Sequence, residues 1–320
     1  LAAHHDPEGN NGVPVRVHHQ PPLGLSAGRQ WAVEQARGEW VAITDIDVRP
    51  EADWVANMVA QIHPVDPEER VVAITGRTVF EQASDLVSRL RSVEIAAKYR
   101  ARPRRTSLAN GPCSMFNREA LLAVGGFDPE WYHAEDMEVS LRLIQAGGTI
   151  VYARDALVRH VPETGAYHFL AKRRRDARAH VRIVRHHPKR QRGGPGFDFL
   201  GSSTVVLCML PMWLAVLISI VPFALGLFSG DLALGKAMFQ QWEGQALIAS
   251  IAVLLIQEVL VWRGRLGVVN REVVRSTTGS KLVAMLGVRR MILRWSLALW
   301  HGLFLGVLDA VLGRNGHRRA

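Results

Sequence analysis

The sequence predicts an α/β protein with a mostly parallel sheet in its N-terminal half, followed by a C-terminal transmembrane helical region. Three observations carry this. Helix-like segments alternate with short apolar strands from Ser26 to Tyr152, the pattern of an α/β fold. The strand candidates Glu39–Thr44 and Val71–Thr75 are nearly continuous apolar runs, as expected of parallel strands covered on both faces. From Phe197 onward the chain is strongly apolar, with charges confined to short stretches. The mean hydropathy of +0.05 averages over this split. The expected organisation is an α/β domain over 1–170, a basic juxtamembrane linker over 171–200, and a membrane region over 201–320 with two to three helices.

Taken in order, Ser26–Gln35 is a helix with Ala27, Trp31 and Ala32 at helical spacing and Gly38 as its stop. The strand Glu39–Thr44 ends in Asp45-Ile46-Asp47. Pro50 is expected to open a second helix whose face carries Trp54, Val55, Met58, Val59 and Ile62. Val71–Thr75 is the next strand, closed by Gly76, and Ser84–Tyr99 the next helix. Asn110-Gly111 signals a turn before a short strand at Cys113–Phe116. A helix over Arg118–Val124 leads into Gly125-Gly126-Phe127-Asp128, and another runs from Glu135-Asp136 to Gly147. Thr149–Tyr152 is the last strand of this half.

Composition narrows the function classes. Cys113 and Cys208 are too few for a disulfide framework or a thiolate metal site. The net charge of +10 raises nucleic acid as a partner, but its distribution argues for no nucleic acid. Lys172 to Arg192 holds ten Lys/Arg against one acid, Asp176, beside an apolar segment. That placement marks anionic membrane lipids and a cytoplasmic flank.

Asp45 and Asp47 fall at the C-terminal end of a buried strand, where ligands bind in open α/β sheets. Two carboxylates there do not stay ionised side by side without a cation, and hard oxygen ligands suit Mg²⁺ or Mn²⁺ on a diphosphate. The competing reading is a pair of loop aspartates capping a helix. Glu135 and Asp136 occupy a first helical turn, where the dipole favours carboxylates whether or not they act in chemistry.

Together, Gly28-Arg29, Gly38-Glu39-Trp40-Val41, Thr44-Asp45-Ile46-Asp47, Gly125-Gly126-Phe127-Asp128 and Glu135-Asp136 resemble the family 2 glycosyltransferases of GT-A fold, with a Rossmann-like sheet. The match in order and spacing covers residues 23–160. The resemblance implies transfer of a sugar from a nucleotide-diphosphate donor to an acceptor hydroxyl, with inversion, and the membrane anchoring alone points to a glycan or lipid-linked acceptor. Asp47, with Asp45, would hold the metal, and Asp136 would be the base on the acceptor hydroxyl. Gly126 and its neighbours would shape the wall near the sugar, Glu135 and Arg29 would lie by the donor, and His160 would be a third metal ligand or phosphate contact. Two departures stand out. Relatives open with a strand that holds the nucleotide base, and here only Val13–His18 offers one, so that edge is expected to be truncated. Processive synthases carry a Gln-x-x-Arg-Trp motif where this chain reads Ala171-Lys-Arg-Arg-Arg-Asp-Ala-Arg178, which points to single-sugar transfer.

Thr204–Phe228 carries no charge and is long enough for a hydrocarbon core of about 30 Å. Gln245–Trp262 is a second candidate span. Leu293–Leu312 is a third, with Arg294, His301 and Asp309 roughly along one side and a Gly302/Gly306 pair suited to close helix packing. It either spans or lies in the interface. Lys/Arg-rich flanks on both sides of the first two spans place them as a hairpin in a multi-pass protein of the cell membrane, with the α/β domain in the cytoplasm. Two rivals are a sugar-nucleotide domain without activity and a two-metal phosphohydrolase. The first is expected to lack Asp47 or Asp136, and both are present. The second requires further His/Asp clusters, whereas the histidine pairs lie in polar or basic segments.

Overall fold

The computed structural model describes residues 16–63, 68–188, 199–228 and 242–314. Strands β1 (Trp40–Ile43), β5 (Ser114–Asn117), β3 (Val71–Phe80), β6 (Thr149–His160) and β2 (Val48–Pro50) form one sheet in that spatial order, and the two-residue β4 (Arg105–Thr106) pairs with β6. The long central strands β3 and β6 are covered on both faces and pair in parallel. One core packs Val33, Val72, Phe116, Leu121, Phe127, Val139 and Ile150 beneath α1 (Leu25–Gln35), α4 (Arg118–Ala123) and α5 (Glu135–Gln145). A second, with Trp54, Met58, Ile74, Met115 and Val158, lies under α2 (Trp54–Val59).

The fold is mixed α/β, and the sheet differs from the expected one in pairing. Strands β1, β3 and β6 share a direction, but β5 is inserted antiparallel between β1 and β3. Strands β2 and β4 also run against β6, leaving β3–β6 as the parallel pair among the described strands. An apolar run reports burial, not direction, and β5 is as buried as a parallel strand would be. Pro50 does not open a helix. It ends β2, an edge strand, where its missing N–H costs no ladder bond, and α2 starts at Trp54. The strand read over Thr149–Tyr152 continues to His160. Of the Val13–His18 strand candidate, residues 16–18 form no strand and the rest lies outside the described residues.

The helix α3 (Leu86–Arg100) is capped by Asp85, whose carboxylate accepts from Val87 and Ser88 N–H. Helix α6 (Ala166–His186) takes up much of the segment read as a juxtamembrane linker, and the boundary expected at residue 170 falls inside it. It carries α7 (Phe199–Phe228), α8 (Trp242–Trp262), α9 (Gly264–Ser276) and α10 (Lys281–Val311) onto the domain. A third core joins Val87, Leu90, Phe169, Ala177, Val273, Val288, Trp295 and Leu299 from these helices. The Gly302/Gly306 pair is packed on α6: a Cβ on Gly302 would stand 2.2 Å from the Arg174 carbonyl oxygen, and one on Gly306 2.8 Å from Val181 Cβ. A bidentate ion pair from Arg178 to Asp309, at 2.5 and 2.7 Å, locks the same contact. Among the described residues α10 is long and apolar enough to cross a membrane, and the α8–α9 pair, bent by 72°, passes the same test when taken as one span. Asn270 Nδ2 donates to the Val261 carbonyl at 2.8 Å and holds that bend.

Candidate active site

A cavity of about 370 Å³ opens at the C-terminal end of β1 and runs between the sheet, α3, α5 and α6. Four segments bring the chemistry to it.

The first is the link from β1 to β2. A turn closed by Val48 N–H to the Asp45 carbonyl, at 3.3 Å, sends successive side chains opposite ways. Asp45 turns inward, Ile46 is 95% exposed, and Asp47 is half exposed toward β6. Asp45 Oδ1 lies 2.9 Å from Arg29 Nη2, and Arg29 Nη1 lies 2.5 Å from Glu135 Oε1. Arg29 is buried on the same α1 face as Ser26 and Val33, so it is not a solvated helix arginine. Its guanidinium passes so near Gly111 that a Cβ there would stand 2.6 Å from Nη2.

The second is β6. Its register pairs His160 with Val48 of β2 and with Phe80 of β3. The first pairing sets His160 Nε2 3.4 Å from Asp47 Oδ2, and the second stacks the imidazole on the Phe80 ring at 4.3 Å. His160 Nδ1 lies 2.8 Å from the Val161 carbonyl oxygen, which can only accept, so Nδ1 carries the hydrogen. In the neutral ring the Nε2 lone pair then faces a carboxylate oxygen. Two such donors repel unless a cation stands between them, and Asp47 with His160 is the oxygen-and-imidazole pair that a divalent ion takes up while keeping places for phosphate oxygens and water. Asp45 is spoken for by Arg29, and among the described residues no cluster of three or more His, Cys, Asp or Glu is placed to hold a metal. The donor set therefore fits a substrate-completed ion better than a closed protein cage.

The third is the start of α5. Ala134 takes a left-handed conformation, φ 62°, at the residue before the helix, and this sharp entry directs Glu135 and Asp136 into the cavity. Asp136 Oδ1 accepts from Met137 N–H at 2.8 Å and Oδ2 from Gly111 N–H at 3.2 Å. Each oxygen keeps a lone pair for a further partner. Burial and the adjacent Asp136 charge push the Glu135 carboxyl up to about 7, against the pull of Arg29.

The fourth is α6, which the sequence reading missed as part of the site. Lys172, Arg173, Asp176 and His180 line the cavity. Asp176 holds Arg173 at 3.1 Å and His133 Nε2 at 2.8 Å. Burial opposes the Asp176 charge, but Arg173 and His133 outweigh it and hold the carboxyl well below the usual range. The signal was present: Phe169, Arg173, Ala177, His180 and Ile183 fall at helical spacing and form one buried face within the basic run. On α3, Arg91 pairs with Glu94 at 2.9 Å and with Glu163 at 3.0 Å.

Gly126 is not in the cavity lining. Its φ is +66°, and a Cβ there would stand 1.9 Å from Gln30 Oε1, which accepts from Phe127 N–H at 2.7 Å. The Gly125-Gly126-Phe127 turn is thus a joint behind the site. Phe127 is buried edge-to-face on Phe116 and lies 5.9 Å from the Arg29 guanidinium.

A model of the family described as "Glycosyl transferase family group 2" matches residues 40–312, from β1 through α10. The chain belongs to this family. The match takes in the cavity lining from Asp45 onward and the helices that follow it, and leaves out Leu25 and Arg29 of α1. Over 163 residues the chain is 27% identical to the pre-mycofactocin glycosyltransferase of Mycobacterium tuberculosis in each of two strains, covering 49% of this chain. The chain spans about a third of the length of these curated relatives, 34%. Among solved structures, the mannosyltransferase PcManGT from Pyrobaculum calidifontis, in complex with GDP-Man and Mn²⁺, aligns over 91% of this chain and 67% of its own at 18% identity and a TM-score of 0.40.

Proposed function

We propose that this glycosyltransferase moves a sugar from a nucleoside-diphosphate sugar to an acceptor hydroxyl with inversion at the sugar carbon. The observation that carries the reading is the arrangement around one cavity. An Asp136 carboxylate held by two backbone N–H groups lines it, as does His160, whose Nε2 faces Asp47 just outside the lining. Asp47 and His160 would hold Mg²⁺ or Mn²⁺, which when bound supplies Lewis-acid stabilisation of the departing diphosphate. Arg29 fixes Asp45 and Glu135 and so sets the shape of the donor side. Asp136 accepts the acceptor's proton as its oxygen forms the new bond to the anomeric carbon. The old bond breaks on the opposite face, with its electron pair leaving on the nucleoside diphosphate.

The acceptor is a glycan or lipid-linked molecule at the membrane. Exposed Leu282, Leu286, Leu297, Phe304 and Val311 give α10 an apolar face away from α6. Its last turns, clamped to the Arg-rich α6 by Arg178–Asp309, lie along the lipid surface. The protein is multi-pass, with the α7–α8 hairpin inserted and the cavity in the cytoplasm, where Lys/Arg-rich flanks remain.

The test is turnover of labelled nucleotide sugars by the full chain in membranes, with Mn²⁺, Mg²⁺ or chelator, and product stereochemistry read by NMR. Metal-independent transfer, or retention of configuration, would overturn the mechanism.

A further inference from the structure

At and just past the C-terminal end of α3, two cations line the same cavity, and neither forms an ion pair among the described residues. Arg102 is 8% exposed, and its Nη1 is buried with no hydrogen-bond partner among the described residues. Its guanidinium lies 4.9 Å from the Tyr99 ring centre and 5.6 Å from that of Tyr152. Lys98, one turn earlier, lines the cavity beside it, and its ammonium makes no hydrogen bond or ion pair among the described residues. Burial, together with the like charges of Arg102, Arg91 and Arg173, pushes the Lys98 amine down to about 8, with only Glu94 opposing. Glu94 is already committed to Arg91.

A structural account exists for part of this. Basic residues in the last helical turn interact favourably with the helix dipole, which covers Lys98 and Arg100. It does not cover Arg102, past the helix end, turned inward with an orphaned donor. Aromatic faces soften the cost of that charge but supply no hydrogen-bond acceptor. A planar guanidinium and an ammonium converging on one space match a phosphate's oxygens, which take several charge-assisted bonds at once. Phe80, Ile95 and Leu108 line the cavity as well, giving apolar wall for an organic group.

We propose that Lys98 and Arg102 bind a phosphate monoester carried by the acceptor. This deepens the glycosyltransferase reading and rests on it. The phosphate belongs either to a lipid headgroup or to a soluble acceptor.

The experiment uses the full chain in neutral detergent, saturated with Mn²⁺ and whichever of UDP, GDP or ADP stabilises it, so that the donor subsite is filled. Octyl phosphate, octanol and inorganic phosphate are then titrated and thermal stabilisation is read. Octyl phosphate is expected to stabilise and octanol is not. Lys98→Met and Arg102→Gln are each expected to weaken octyl phosphate by about tenfold or more, the worth of a charged hydrogen bond, with nucleoside diphosphate binding unchanged. Octyl phosphate much tighter than inorganic phosphate assigns a lipid headgroup, and near-equal binding of the two assigns a soluble acceptor. Equal binding of octanol, or unaltered octyl phosphate binding in Lys98→Met, overturns the proposal. Loss of nucleoside diphosphate binding in the same variants also overturns it, by giving these cations to the donor. Lys98→Met, the less packed site, covers the case in which Arg102→Gln does not fold. If no nucleoside diphosphate stabilises the wild type, the donor reading fails, and octyl phosphate binding still decides this site.

Discussion

His160 Nε2 stands 3.4 Å from Asp47 Oδ2, with its other ring nitrogen bonded to the Val161 carbonyl. Strand register produces this pair, since β2 and β3 each set a partner opposite His160. Asp47→Ala and His160→Ala are therefore expected to leave the fold intact and to weaken Mn²⁺ binding, measured by EPR of the free ion in the presence of nucleoside diphosphate. For a ligand, Asp47→Ala also removes metal-dependent turnover. Wild-type Mn²⁺ affinity in both variants would show that the pair is only a surface ion pair.

Asp136→Asn is expected to keep donor binding and lose transfer by about 10²–10⁴-fold, because an amide does not take the acceptor's proton. The Gly111 and Met137 N–H groups still find an oxygen acceptor in one of the two positions. Calorimetry for donor affinity beside steady-state rates separates the two effects. A near-normal rate would reduce Asp136 to a helix-start carboxylate.

The His133–Asp176 pair joins the α5 entry to α6 and makes stability pH-dependent. Burial works against charging His133, but the hydrogen bond and charge of Asp176 outweigh it and raise its pKa above 6.5. A raised pKa means that the contribution is complete below 6.5 and lost as pH rises through the folded value. The Asp176 pKa is lowered from 3.8, so its contribution is complete above that value and lost at lower pH. The melting-temperature gap between wild type and His133→Gln should thus be widest between about pH 4 and 6.5 and narrow on the alkaline side. A gap independent of pH would mean that His133 acts by packing alone.

Gly302→Ala is expected to destabilise the protein by about 1–3 kcal/mol, the usual cost of overpacking. Its Cβ would meet backbone of α6 at 2.2 Å, which cannot yield as a side chain would. Gly287→Ala is the control, since its Cβ meets only the Leu86 side-chain tip at 3.0 Å. Equal thermal melts for the two variants would show that α10 is not clamped to α6 as described.

Much of this was legible because it is local. Asp45, Asp47, Glu135 and Asp136 sit in short motifs at a strand end and a helix start, and a sequence shows such places directly. His160 was legible as a position, but its pairing with Asp47 needed the register of a strand longer than the one read. The direction of β5 was not legible, because burial patterns carry no direction. The α6 wall was misread because seven basic residues on the helix hide a narrow buried face, and whether such charges meet lipid or carboxylates depends on residues such as Asp176 and Glu163 finding them across the fold. Gly302 and Gly306 were rightly read as a close-packing pair, but their partner, α6, lies more than a hundred residues away.

The proposed orientation of the cavity rests on charge and on the α6–α10 clamp together. Lys172 to Arg192 precedes the first apolar helix with ten Lys/Arg, and Arg263 to Arg294 follows the second with eight and one acid, Glu272. The connection between them, Ser229 to Glu243, has Lys236 against Asp231 and Glu243. Short basic segments stay in the cytoplasm, so the topology proposed above would make α7 and α8 a hairpin with its tip outside. If α10 also crossed, its end would carry Arg314 away from the cytoplasm. On the proposed topology the Arg178–Asp309 pair argues against this, because it ties the last turn of α10 to the helix that lines the cavity. In a Cys208→Ser background, with Cys113 buried, single cysteines at Gly230 and Gly313 report each side. An impermeant maleimide applied from outside is expected to label Gly230→Cys and to spare Gly313→Cys until the membrane is opened. Labelling of Gly313→Cys from outside in sealed cells would make α10 a full span and break the clamp, and protection of Gly230→Cys would invert the protein.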